Sequence, residues 1–240
     1  ARDYLELAGA PFLEFADSVL SEVEEADGQN YSSFDEQSFG DYLQRLYALK
    51  DSVNSYSEFL IAATSHKDFM LNERIVEVIR QVSEVRYYSG SPTALINYRD
   101  KYMAENTLWI REYHENAKIA VWAHNFHISD YESGSIGTMG NYLKYALWDQ
   151  YATIGFLFSE GEFTAVGMEG DQYTELGTQS LDSIPKAGSL NALMSYTNQP
   201  AFSIEMRALT NYLVWYNAIE AGMDYFFIGS AYNNSPGDYY

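Results

Sequence analysis

Cysteine is absent from the 240 residues, which excludes disulfides, thiolate metal sites and a cysteine nucleophile. Basic residues are scarce: 14 Lys and Arg stand against 34 Asp and Glu, a formal net charge of −20. Nucleic-acid binding needs clustered Lys and Arg to release counterions from phosphates. No cluster occurs, so nucleic acid is disfavoured as a partner, and anionic membrane surfaces with it. No run of about 18 apolar residues is present, so no segment reads as a membrane span. The opening Ala1-Arg2-Asp3-Tyr4 has no basic flank leading into an apolar stretch, so no signal peptide is read there and the compartment stays open. A GxSxG elbow and a P-loop are also missing, and nothing asks for a cofactor.

What is present describes a globular protein. Hydrophobic residues make up 47% of a chain long enough to bury a substantial core without staples. Apolar spacing in the first half is helical. Leu5, Phe12, Phe15, Val19 and Val23 share a face between Tyr4 and Glu25, with Pro11 marking a start or kink. Asp27 to Asn30 reads as a loop, and Asp35 as the cap of a second helix running to Val53, with Phe39, Leu43, Leu46 and Leu49 inward. A third helix covers Glu58 to Tyr88 with a break near Ser65. Ser91-Pro92 starts a fourth, with serine as N-cap and proline at the first helical position, ending near Asn116.

The pattern changes near residue 118. Lys118-Ile-Ala-Val-Trp-Ala123 is short, apolar and bounded by polar residues, as a buried parallel strand is. Gly137 to Asp149 reads as a loop entering a helix. Ala152 to Phe158 reads as a second strand, turning at Ser159 to Glu162 into a hairpin with Phe163 to Val166. Pro200 to Met206 and Asp224 to Ser230 are further strand candidates around a helix from Leu209 to Ala221, and Asn233 to Tyr240 reads as a tail. This order predicts an α/β fold: three layers, α/β/α, with a mostly parallel sheet in the second half and a helical insert or cap in the first. The boundaries are 1–117 for the cap and 118–240 for the sheet region, together one composite domain.

Chemistry concentrates on few residues. His66 and His114 lie in polar stretches of predicted helices and read as solvated surface groups. His124 and His127 follow directly on the predicted strand Lys118–Ala123. Ligands of open α/β sheets bind beyond the carboxyl ends of strands, where loops carry reactive groups on a rigid base. Imidazole exchanges protons near neutral pH. Two imidazoles three residues apart serve one site if the backbone turns between them, one as acid or base and the other on an oxyanion. The alternatives are two histidines that only hold the loop backbone, and a metal site. Two imidazoles suit zinc, but a catalytic zinc takes a third protein ligand and HExxH spacing is absent, so no metal ligand is assigned. Asn125 is a candidate to hold the turn or donate to an oxyanion, and Glu105 to orient an imidazole. Many tyrosines are available for the core or for an apolar substrate cleft.

The run Lys118-Ile-Ala-Val-Trp-Ala-His-Asn-Phe-His-Ile128 resembles the KIVVWAHNxHI segment of the erythromycin esterase family. Upstream, Arg99-Asp100-Lys101-Tyr102-Met103-Ala104-Glu105-Asn106 with Trp109 is similar to that family's RDxxMAEN…W helix. Downstream, Met139-Gly140-Asn141-Tyr142-Leu143 is similar to its MGxxL stretch. Tyr151 to Phe156, with Gly161 and Phe163, resembles its YxxIGFxFxxGxF strands. The resemblance implies an α/β/α fold, hydrolysis of an ester or lactone by activated water, and catalytic roles for His124 and His127. It also implies an N-terminal GExxHG segment whose histidine is the favoured general base; the 240 residues contain none. Sheet neighbours of such missing strands would be exposed edges, which invite pairing, and a homodimer or a strand borrowed from elsewhere is expected. Three functions follow: a hydrolase of a small-molecule ester or lactone, a binding protein for carbohydrate or an apolar small molecule that kept the fold and lost the reaction, and a metal-dependent hydrolase.

Overall fold

The computed structural model describes residues 1–25, 36–130, 132–133, 136–169, 172–181, 187–209 and 231–232. The expected loop at Asp27–Asn30, the Asp35 cap, the strand at Asp224–Ser230, most of the Leu209–Ala221 helix and the tail after Asn233 lie outside the described residues. The chain is a mixed helix and sheet protein that divides into two compact units, Ala1–Thr153 and Ile154–Tyr240. The turn carrying His124 and His127 therefore stands in the first unit.

Helices build that unit: α1 (Arg2–Leu7), α2 (Leu13–Glu25), α3 (Glu36–Ser55), α4 (Ser57–Ala63), α5 (His66–Tyr87), α6 (Pro92–Tyr113), α7 (Asn125–Ile128) and α8 (Met139–Leu147). A short antiparallel ladder, β1 (Glu132–Ser133) with β2 (Ile136–Gly137), lies between α7 and α8. The first predicted helix is interrupted: Gly9 takes φ +65°, a backbone state that costs glycine little, and α2 restarts after Pro11. The predicted break near Ser65 is a new N-terminus. Thr64 ends α4, and the Ser65 hydroxyl accepts the Asp68 N–H as α5 begins. Ser91 caps α6 in the same way, with Pro92 at its first position.

The main core gathers Leu5, Val19, Leu46, Leu49, Val53, Leu60 and Val76 from α1 to α5. Each leucine so enclosed contributes about 2 kcal/mol. Helix α5 buries polar groups beside the core residue Val76. Its buried face carries Glu77, Arg80, Gln81, Ser83 and Glu84, while Leu71, Ile75, Val78 and Val82 are exposed. The buried charges are tolerated because they satisfy one another. Arg80 donates to Glu77 and Glu84, Lys50 pairs with Glu77, and the Tyr47 and Tyr102 hydroxyls donate to Glu84. A smaller core of Ala104, Met139 and Leu143, flanked by Ile128, Tyr142 and Tyr151, joins α6, α7 and α8.

In the second unit β3 (Gly161–Glu169) pairs antiparallel with β4 (Gln172–Leu181) and parallel with β5 (Ala231–Tyr232), giving the order β4-β3-β5. Helices α9 (Leu190–Ser195) and α10 (Met206–Leu209) follow β4. The hairpin thus joins β3 to a polar segment that the hydrophobic pattern did not select, and not to Ala152–Phe158. Three expected strands take another form. Lys118–Ala123 and Ala152–Phe158 have no ladder partner among the described residues, and Pro200–Met206 is irregular backbone running into α10. Lys118–Val121 and Ala152–Phe156 are exposed, and Trp122 is 85% accessible. Apolar composition marks a segment as fit for a sheet interior, but a strand forms only where a neighbour offers its backbone groups. No described helix is long and apolar enough to cross a membrane.

Candidate active site

The backbone beyond Ala123 turns at once into α7. His124 is the N-cap: its Nδ1 accepts the Phe126 N–H at 3.2 Å. A neutral imidazole that accepts at Nδ1 carries its proton on Nε2, and this ring is exposed. His127 lies one turn later, and the two residues share a single helical turn, with the His127 N–H bonded to the His124 carbonyl at 2.9 Å. Asn125 opens α7 half-buried, and its carbonyl accepts the Ser129 N–H.

The partners of His127 define its state. Nδ1 lies 2.9 Å from Asp100 Oδ2, and Nε2 lies 2.8 Å from an Arg99 terminal nitrogen. Guanidinium only donates, so Nε2 is an acceptor and the proton sits on Nδ1, donated to the carboxylate. The ring is therefore neutral, in one tautomer, with its basic lone pair on Nε2. Asp100 is 0% exposed. Its Oδ2 also accepts the Met139 N–H at 2.9 Å, one of the unpaired donors at the start of α8. A buried anion is favoured there by the helix dipole. Its Oδ1 has no hydrogen-bond partner and lies 3.8 Å from Arg99.

Neighbouring contacts fix the frame. Thr138 caps α8 through its hydroxyl, which accepts the Asn141 N–H and donates to the Ser129 carbonyl. Tyr151 donates to the Ile128 carbonyl. Burial, with Asp130 adding to it, raises the tyrosine to about 12, so it remains a donor. Helix α8 approaches α7 so closely at Gly140 that a Cβ there would run into the carbonyl oxygens of Ile128 and Ser129. Only glycine permits this approach, which explains the small residue after Met139. An open groove of about 440 Å³ is lined by Asn97, Tyr98 and Lys101 of α6 and by Tyr142 of α8.

The structure brings His124 and His127 into one turn, and the acid in contact with the His127 ring is Asp100. Glu105 accepts from Gln81 at 3.3 Å and faces Lys101 at 3.7 Å. His66 begins α5, and His114 follows the last turn of α6 against Tyr113. Among the described residues no three His, Asp or Glu side chains are grouped as a metal site. Arg99 and Asp100, which open the quoted motif, are the side chains that meet His127, and the sequence pattern does not single them out. Nothing in a polar helix marks which acid turns inward, and its one legible signal was an Arg-Asp pair on the helix preceding the histidine turn.

Comparison with known proteins follows the same lines. A crystal structure of a Bacillus cereus protein superposes with a TM-score of 0.85 at 18% identity, covering 99% of this chain and 57% of that one. The crystal structure of a succinoglycan biosynthesis protein gives 0.78 at 19% identity, covering 96% and 55%. The fold is shared with both, and the chain spans little more than half the length of either. Among curated proteins none matches. The family model for erythromycin esterase matches residues 2–238. The chain belongs to the erythromycin esterase family.

Proposed function

We propose that the protein is a hydrolase that cleaves a small-molecule ester or lactone by histidine-assisted attack of water. Family membership suggests a hydrolase, and the observation that carries the mechanism is the buried Asp100 carboxylate on His127 Nδ1, which leaves a basic Nε2. Water placed at Nε2 gives up a proton to that nitrogen as its oxygen bonds to the acyl carbon. The carbonyl becomes an oxyanion. Asp100 stabilises the imidazolium, much as the carboxylate does in a serine-protease triad. Collapse breaks the bond to the leaving oxygen, which takes the proton back from Nε2 and departs as an alcohol. His124, on the same turn and exposed, is the donor assigned to the oxyanion or leaving oxygen, with Asn125 holding the turn.

The test is an assay of the purified chain on aryl esters and macrolactones beside the His124→Ala/His127→Ala double variant. Turnover that falls by at least about a thousandfold in the variant supports the reading, a loss of the size that removing a general base and an oxyanion donor produces. Equal turnover by both overturns it. Saturable ligand binding with no turnover by the wild type would instead make this a binding protein on the same scaffold.

The finer architecture we propose is the three-layer α/β/α arrangement, with 1–117 as cap and 118–240 carrying a mostly parallel sheet in one composite domain. Lys118–Ala123 and Ala152–Phe158 then become strands when a second copy supplies the missing neighbours. Their exposed apolar side chains support this. Light scattering at micromolar concentration is expected to show a dimer that Val121→Lys reduces to a monomer. A wild-type monomer would rule the dimer out.

A further inference from the structure

We propose that Arg99 is the anion-binding group of this site, the side chain that receives the tetrahedral oxyanion of the reaction and the carboxylate of its product. The proposal rests on the hydrolase reading above. A guanidinium 2.8 Å from Nε2 occupies the place from which an attacking water would deliver its proton, so it must move before His127 can act as a base. Asp100 offers the place it would take. Asp100 Oδ1 is buried and lacks a partner, and Arg99 stands 3.8 Å from it, beyond hydrogen-bond range but within a small rotation. A turn toward Oδ1 completes that carboxylate and opens Nε2 in one motion.

The rest of the guanidinium is free to take a ligand. Its side chain is 51% exposed, and its interactions among the described residues are those with His127 and Asp100. Five N–H donors in a rigid fork match the oxygens of a carboxylate or a tetrahedral anion. Lys101, two residues on, is already paired with Glu105. A ligand oxygen held by Arg99 lies beside the water that His127 activates, as an oxyanion donor requires. The cation thus has two positions, one that caps the base and one that binds the charge developed by the reaction.

The probe is methyl phenylphosphonate, a tetrahedral monoanion, titrated into the 240-residue chain while the imidazole nitrogens are followed by NMR. Wild type is expected to bind saturably with a shift of the His127 Nε2 resonance, as Arg99 leaves it. Arg99→Met should weaken binding by about tenfold or more, the size of one charged hydrogen bond. Arg99→Lys should recover part of it, and Lys67→Met, which removes the same charge from α5, should not alter it. Equal affinity in wild type and Arg99→Met, or no binding by folded wild type, overturns the proposal. Failure of the hydrolase reading is seen separately, as esterase activity that survives the double histidine variant.

Discussion

Asp100→Asn is expected to lower ester turnover by about a thousandfold or more while the protein stays folded, an effect comparable to the same change beside a catalytic histidine elsewhere. Asp100 Oδ2 accepts two hydrogen bonds, from His127 Nδ1 and from the Met139 backbone N–H. Asparagine offers one oxygen and one amide group in the same volume. With its oxygen at the Oδ2 position asparagine keeps both bonds, but its amide N–H groups stand at the Oδ1 position toward the Arg99 guanidinium, and the imidazolium loses the negative charge that stabilises it. Turned the other way, the amide faces the Nδ1 and Met139 N–H groups together, the imidazole must carry its proton on Nε2, and the base is blocked. The measurement is kcat on the best ester found for the wild type, with circular dichroism confirming the fold. Turnover within threefold of wild type would remove Asp100 from the mechanism.

The largest expected loss of stability comes from Arg80→Met. This guanidinium is buried between Glu77 and Glu84, with hydrogen bonds of 2.7 to 3.0 Å to both and to Tyr47. Removing it leaves two buried carboxylates short of their cation, at a cost of about 3–5 kcal/mol. A urea denaturation midpoint unchanged at pH 7 would show that the cluster is solvated and contributes little. The same cluster sets an acid limit. Burial alone would raise the Glu77 carboxyl, but hydrogen bonds from Arg80 and Lys50, and then their charges, outweigh it and bring it to about 2 from an ordinary 4.5. A group depressed by folding stabilises above its unfolded value and loses that contribution as pH falls toward the folded one. Wild-type stability should therefore decline between pH 4.5 and 2, and Arg80→Met should flatten that decline.

Helical features were legible where local chemistry sets them. Ser91-Pro92 and Ser65 mark helix starts because a side chain satisfies backbone donors within three residues. The histidine pair was legible because it follows an abrupt change in hydrophobic pattern. What remained hidden depends on distant neighbours. The mostly polar β4 is a strand only because β3 lies beside it, whereas Lys118–Ala123 looks like a strand and lacks a described partner. Both cases reflect the tertiary origin of strand preference. Glu105 and Asp100 are both acids of α6, five residues apart, and spacing alone does not say which meets an imidazole. The Asp100 choice follows from the docking of α8, brought in by Gly140. The inward charged face of α5 was equally concealed, since an apolar stripe is ordinarily assigned to the core.

A single oxygen, Asp100 Oδ2, holds both the His127 ring and the Met139 amide. The deuterium-exchange clock of one backbone amide is thereby wired to the His127 side chain. When the carboxylate swings away or takes a proton, the amide loses its acceptor in the same event, and its exchange rate counts how often the imidazole is released. Resting fluctuations of the His127 ring can thus be timed on the Met139 peptide bond.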